Sequence, residues 1–154
     1  MVNCYNIEVV TSETDVAQLA EIEQECFSHP LEEKQIAALL RDENTCFLLA
    51  RRDDIITGSL WVQTVLDEGY IGNVAVRPAY RRCGIADALL RELSALAQEK
   101  QLAFLTLEVR AGNVPAIALY EKNGYIRVGQ RPGYYSDPKE DAVLMTNYLK
   151  QEHA

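Results

Sequence analysis

Apolar and polar positions follow two rhythms along this chain, and the rhythm changes near its middle. Tyr5 to Val10 alternate as a strand does, and then Val16, Leu19, Ile22, Cys26 and Phe27 recur at helical spacing, with Ser12 and Asp15 offering a capping-box-like start. His29-Pro30 breaks that pattern, and Pro30 suits the opening turn of a second helix running through Leu40. Thr45 to Arg51 and Ile55 to Val65 read as strands joined by the polar turn Arg52-Asp53-Asp54. A further turn around Asp67-Glu68-Gly69 leads into Tyr70 to Val76, which predicts an antiparallel meander.

Beyond it the pattern turns helical. Ile85 to Lys100 is strongly amphipathic, Phe104 to Val109 is a short apolar strand, and Pro115 to Asn123 is a second helix. Asn123-Gly124 ends that helix, because glycine takes the left-handed conformation at no steric cost. Tyr125 to Val128 and Val143 to Tyr148 predict closing strands around a loop, RPGYYSDPKED. A strand, a crossover helix and a strand imply that the segments around Val74 and Leu107 run parallel in one sheet. The expected class is α/β with a mixed sheet.

Composition narrows the function. The 154 residues suit one domain spanning residues 1–154, and no repeat or low-complexity run divides them. A net charge of −8 speaks against general binding to nucleic acid, which needs basic surface to neutralise phosphates. The opening MVNCYNIEVV has neither a basic leader nor a long apolar core, and no later run approaches a membrane span, so no membrane partner and a cytoplasmic location are expected. Cys4, Cys26, Cys46 and Cys83 lie far apart with no CxxC pair, which predicts free thiols. His29 and His153 are the only histidines, so no metal site is expected.

The candidate chemistry begins at AYRRCGIADALL, Ala79 to Leu90. A helix opening near Gly84 would gather the backbone N–H groups of Cys83, Gly84, Ile85 and Ala86 where the helix dipole is positive, and so form an anion site. Gly84 and Ala86 keep side chains out of the way of phosphate oxygens, while Arg81 and Arg82 add charge. Neither Gly-Lys-Ser/Thr nor GxGxxG is present, which excludes a nucleotide-hydrolysing P-loop and a dinucleotide fingerprint.

The strand NVAVRP, the spacing Arg81-x-x-Gly84-x-Ala86 and the long helix after it together resemble the acyl-CoA-binding core of the GNAT superfamily of N-acetyltransferases. The resemblance continues through EVRAGNVPAIALYEKNGY, Glu108 to Tyr125, and the predicted strand order fits that fold over nearly the whole chain. VAVRP, LEVR, the Asn-x-x-Ala-Ile-x-Leu-Tyr spacing and the late YY and EDAVLM most resemble the RimI-type members, which acetylate the N-terminal alanine of a ribosomal protein.

That resemblance implies a GNAT fold: a mixed central sheet splayed between two parallel strands and flanked by helices. It implies acetyl-CoA as acetyl donor, with the pyrophosphate on the turn Arg82 to Asp87 (Arg82, Cys83, Gly84, Ile85, Ala86 and Asp87) and the pantetheine arm along the backbone of Val74, Ala75 and Val76 like an added strand. Asn113 is placed to cap the later helix, and the resemblance implies that it also touches the cofactor. An edge left unpaired requires the parallel strands to part, and Gly72 and Asn73 are candidates for a bulge that parts them.

Acetyl transfer needs a neutral amine, a polarised thioester carbonyl and a proton for the departing thiolate. Alternation places Glu108 on the strand face opposite Leu107 and Val109, and an ionised carboxylate beside apolar strands calls for a partner or a function. The resemblance makes Glu108 the general base and Tyr120, whose phenol can donate to a sulfur, the general acid. An α-amine of pKa ~7.8 is about a tenth neutral at pH 7, and a lysine near ~10.4 is roughly 250-fold less so, which favours an N-terminal acceptor. Cys83 sits in the phosphate turn, far from the expected thioester, so direct transfer in a ternary complex is expected.

Tyr134 and Tyr135 are candidate walls of the acceptor groove, and Asp67, Glu68, Glu140 and Asp141 are candidates to attract a basic peptide. The chain departs from the RimI-type pattern at two places on the acceptor side: Leu31-Glu32 stand where Trp-Ser is usual, and Ser136 stands where a proline is usual. A lysine, a small-molecule amine, or binding of CoA without catalysis remain open as alternatives.

Overall fold

In the computed structural model residues 6–10 and 13–149 are described; Cys4, Tyr5, Ser12 and His153 of the sequence reading lie outside them. The chain runs β1 (Asn6–Val10), α1 (Val16–Cys26), α2 (Glu33–Arg41), β2 (Thr45–Arg52), β3 (Ile55–Val65), β4 (Glu68–Val76), α3 (Ile85–Glu99), β5 (Phe104–Arg110), α4 (Val114–Lys122), β6 (Ile126–Tyr135) and β7 (Glu140–Tyr148). Its seven strands form one sheet in the order β1-β2-β3-β4-β5-β7-β6. Only β4 and β5 pair in parallel; the other pairs are antiparallel.

Strand alternation divides the sheet into two faces, each with its own core. Leu60, Leu105, Leu107 and Met145 pack with Leu89, Leu90 and Leu93 of α3 and Ile117 of α4. Phe47, Leu49, Ile56 and Ala75 face the other way, under Leu19 and Ile22 of α1 and Ile36 of α2. Helices α1 and α2 pack chiefly on β2 to β4.

The parallel pairing is short. It joins Glu68, Gly69 and Tyr70 to Phe104, Leu105 and Thr106 and then stops, so the rest of β4 and β5 runs without mutual hydrogen bonds. The cause lies one strand away, where β4 carries a bulge against β3: Leu60 faces Val74 and Val62 faces Ile71, leaving Gly72 and Asn73 opposite Trp61 alone. An extra residue bends the strand and increases its twist, which turns β4 away from β5.

Gly72 is required there by a neighbour rather than by its backbone angle. A Cβ at this position would lie 2.0 Å from Trp61 Cε2, because the indole lies across the bulge. Gly72→Ala is therefore expected to lower stability by about 1–3 kcal/mol, the usual cost of overpacking. Gly72→Ala/Trp61→Leu should recover most of the lost Tm in a thermal melt; no recovery would place the strain elsewhere.

Three sequence expectations are corrected. The second helix starts at Glu33, not at Pro30, since Gln35 Oε1 accepts from the Glu32 N–H at 2.9 Å and closes the end there. The turn before β4 is Leu66-Asp67, with Leu66 at φ 56°, so Glu68 and Gly69 already belong to the strand. The loop expected over residues 131–141 is shorter, since β6 runs to Tyr135 and β7 begins at Glu140; both faces of β6 are solvent-exposed, so it lacks the apolar alternation that marks a half-buried strand.

Candidate active site

At one end of the parted strands lies the start of α3. Gly84 is its N-cap at φ 76°, and the first helical hydrogen bond runs from Ala88 N–H to Gly84 O. The N–H groups of Ile85, Ala86 and Asp87 therefore precede the helical ladder, one residue further along than the sequence suggested, because the left-handed glycine sets the cap. Arg81, Arg82 and Cys83 are exposed around them. Arg82 stands at φ 65° and makes no side-chain hydrogen bond or ion pair among the described residues.

Two side chains of the expected anion turn are occupied elsewhere. Arg81 Nε donates to Val76 O at 3.0 Å, tying the turn to the end of β4. The Asp87 carboxylate accepts from Asn123 Nδ2 at 3.0 Å and pairs with Arg91 at 2.9 Å and Lys122 at 3.5 Å, which locks α3 to the end of α4. These bonds hold the Asp87 carboxylate below its usual range despite its desolvation. The backbone, rather than that carboxylate, is what the turn presents.

Alternation fixes which backbone groups face the gap. Arg77 N–H donates to Thr57 O of β3 at 2.8 Å, so Arg77 and Ala75 point toward β3 while Val74 and Val76 point away from it. Val76 O already accepts from Arg81 Nε and, at 3.4 Å, from the Cys26 thiol. Asn113 Oδ1 accepts from Ala116 N–H at 3.2 Å and caps α4 as expected.

On the α1/α2 side of the sheet the parting opens into a cavity of about 420 Å³. Trp61, Gly72 and Asn73 line one wall; Glu108, Tyr134 and Tyr135 line the other. In β5, Leu105, Leu107 and Val109 are buried while Thr106, Glu108 and Arg110 take the opposite face. Glu108 Oε1 lies 3.8 Å from Arg131, whose guanidinium also covers the Tyr134 ring at 5.6 Å. Arg110 lies 4.4 Å from the Tyr135 ring centre and donates to Ser136 O and Pro138 O, which holds the end of the β6–β7 hairpin against β5. His29 Nε2 meets Ser136 Oγ and Asp137 Oδ2, each at 3.4 Å, and so joins the α1–α2 connection to that hairpin.

Acids expected to attract a peptide are engaged within the fold. Glu140 accepts from Gly112 N–H at 2.6 Å and pairs with Arg110, Asp141 accepts from Gln130 and Gly133, and Glu68 accepts from the Tyr70 hydroxyl. Trp61, Asn73 and Arg131 were missed as site residues. Trp61 reads as an ordinary strand residue, Asn73 only as a bulge candidate and Arg131 as the start of a loop until the bulge and the β6 register bring them together.

Tyr120 is buried on α4, with its ring 5.9 Å from that of Tyr125. Burial, with the Tyr135 phenol near it, pushes Tyr120 up to about 12, and burial with the Glu108 charge pushes Tyr135 up to about 12 as well. The Glu108 carboxylate, acting as hydrogen-bond acceptor toward it, holds the Tyr134 phenol above the ordinary tyrosine value. A phenol whose folded value exceeds its unfolded value near 10 is fully stabilising below pH 10, and that stability is lost as pH rises through the folded value. Melts between pH 8 and 12 should therefore show Tm falling from about pH 10, with Tyr120→Phe flattening the fall; an equally steep fall in that variant would exclude Tyr120 as a cause.

The site is thus a sheet opened between two parallel strands, with helix-start amides at one end and a carboxylate lining the cavity at the gap. Residues 16–125 match the model of the Acetyltransferase (GNAT) family, and the chain belongs to that family. The ribosomal protein bS18-alanine N-acetyltransferase of Escherichia coli strain K12 is 37% identical over 134 residues, covering 86% of this chain and 90% of that protein. The crystal structure of the Escherichia coli ribosomal-protein-S18-alanine N-acetyltransferase superposes with a TM-score of 0.86 at 33% identity, over 96% of this chain and 97% of that one. Salmonella typhimurium yncA, solved with its cofactor acetyl-CoA, shares the fold at a TM-score of 0.84 and 16% identity, over 97% of this chain and 96% of that one.

Proposed function

We propose that the chain transfers an acetyl group from acetyl-CoA to the N-terminal α-amine of a protein, an N-terminal alanine of a ribosomal protein. The observation that carries this is the cavity at the parted strands, with Glu108 on one wall and the β4 edge on the other, in a chain 37% identical to an enzyme of that name.

The residues present fit a CoA ester. The amides of Ile85, Ala86 and Asp87 at a positive helix terminus suit a diphosphate, with Gly84, Cys83 and Arg82 shaping the turn and Arg81 bracing it. Val74 and Val76 offer outward backbone groups for an arm laid along the strand, Ala75 holds β4 to β3 between them, and Asn113 fixes the start of α4 nearby. When bound, the thioester supplies an activated acetyl group.

Glu108 takes a proton from the acceptor ammonium, directly or through water, leaving the lone pair free to attack. Tyr120 holds its proton at Oη throughout the neutral range, since its value lies near 12. Tyr120 is the proposed general acid, its phenol supplying the proton that the departing thiolate takes up. Tyr134 and Tyr135 wall the acceptor side.

The test is a panel of peptides starting with Ala, Ser, Met or acetylated Ala, the last carrying an internal lysine, together with a free polyamine, read by mass. A single added acetyl on the α-amine of the Ala peptide is the expected product. Turnover of only the lysine or the polyamine would overturn the reading.

A further inference from the structure

Glu23 on α1 is the one charged side chain buried among the described residues, at 6% exposure, and no cation pairs with it. Its carboxylate instead accepts from Leu31 N–H at 2.9 Å and from Asn73 Nδ2, at 3.0 Å to one oxygen and 2.9 Å to the other. Burying an ionised carboxylate on neutral donors alone is costly unless those bonds are made, so the arrangement fixes its partners firmly. One of them, Asn73, is a residue of the β4 bulge and lines the cavity opposite Glu108.

A carboxylate can only accept, so the Asn73 amide must turn its NH2 toward Glu23. The flip of this amide is thereby decided by chemistry, and Oδ1, in the same plane about 120° from Nδ2, must point away from Glu23. It accepts from no group among the described residues, and it is not among the enclosed side-chain atoms left without a partner. An oriented, neutral acceptor thus stands at the point where the strands part, with the Glu108 wall across the cavity.

We infer that Asn73 Oδ1 receives an N–H of the acceptor amine, and that Glu23 is the positioning residue that aims it. An arriving ammonium has three N–H donors. One goes to Asn73 and another to Glu108; when Glu108 removes its proton, the retained N–H to Oδ1 keeps the new lone pair from rotating away. A neutral acceptor suits this task because, unlike a second carboxylate, it does not favour the charged amine over the neutral one. The inference rests on the proposed reaction, in that the occupant of the cavity is an amine.

The experiment is a double-mutant cycle on the full chain with an Ala-starting hexapeptide and acetyl-CoA, run as steady-state kinetics and as peptide calorimetry in the presence of CoA. Wild-type turnover of the peptide tests the proposed reaction by itself; the cycle tests Asn73 and Glu23. Asn73→Ala should lower kcat/KM for the peptide roughly 10–100-fold and weaken peptide binding, with KM for acetyl-CoA within twofold. Glu23→Gln, whose amide lets Asn73 take either orientation, should cost less, and should cost nothing further in the Asn73→Ala background.

Asn73→Ser keeps a shorter donor on the Glu23 side while removing Oδ1, so it should melt above Asn73→Ala and still lose peptide turnover. Losses that multiply in the double variant, equal damage to both substrates' KM, or a serine variant with wild-type peptide kinetics would each overturn the inference.

Discussion

Glu108→Gln is expected to lower turnover of an N-terminal peptide by roughly 10²–10⁴-fold near neutral pH, the range for removing a positioned proton acceptor. KM for acetyl-CoA should stay within about threefold, because Glu108 lines the acceptor cavity and not the α3 turn. Glutamine keeps the volume between Tyr134 and Tyr135 and can still meet Arg131, so the fold is retained. The pH profile separates two roles. An α-amine near ~7.8 is mostly neutral by pH 9, so a deficit caused by lost deprotonation should shrink about tenfold between pH 7 and 9. A deficit that stays constant over that interval would show that Glu108 orients the amine and does not take its proton.

Ala86→Glu should raise KM for acetyl-CoA by on the order of 10²–10³-fold while leaving Tm unchanged or slightly higher. Ala86 is the second residue of α3, where an acidic side chain complements the helix dipole and is well tolerated. The same carboxylate would sit among the amides offered to the diphosphate, and like charges about 4 Å apart at a partly exposed site repel by about 4 kcal/mol. Isothermal titration with CoA and a thermal melt of the same preparation check both halves. Undiminished CoA affinity would remove the α3 turn as the phosphate site.

These two positions were legible in the sequence because each rests on local pattern. Glu108 follows from period-two alternation against Leu107 and Val109, and the α3 turn from glycine and alanine ahead of an amphipathic run. The mixed sheet was legible for the same reason, since β4, α3 and β5 form one crossover unit. The fate of Arg81 and Asp87 was not, because Val76 O and Asn123 reach them only through tertiary packing. Strand β6 was missed where it lies exposed on both faces, and with it the position of Tyr134 and Tyr135 on a strand end rather than a loop. The Glu23–Asn73 pair is separated by 50 residues, and nothing in spacing or composition joins them.

The indole stacked over residue 72 also ties two positions of the site together. Tryptophan at position 61 and a β-carbon at 72 compete for the same space, so each carries a packing cost in the presence of the other. Glycine at 72 beneath a smaller neighbour costs only about 0.5–1 kcal/mol of strand stability. A side chain larger than hydrogen at 72 therefore fits only beneath a residue smaller than tryptophan at 61, which couples the two positions energetically.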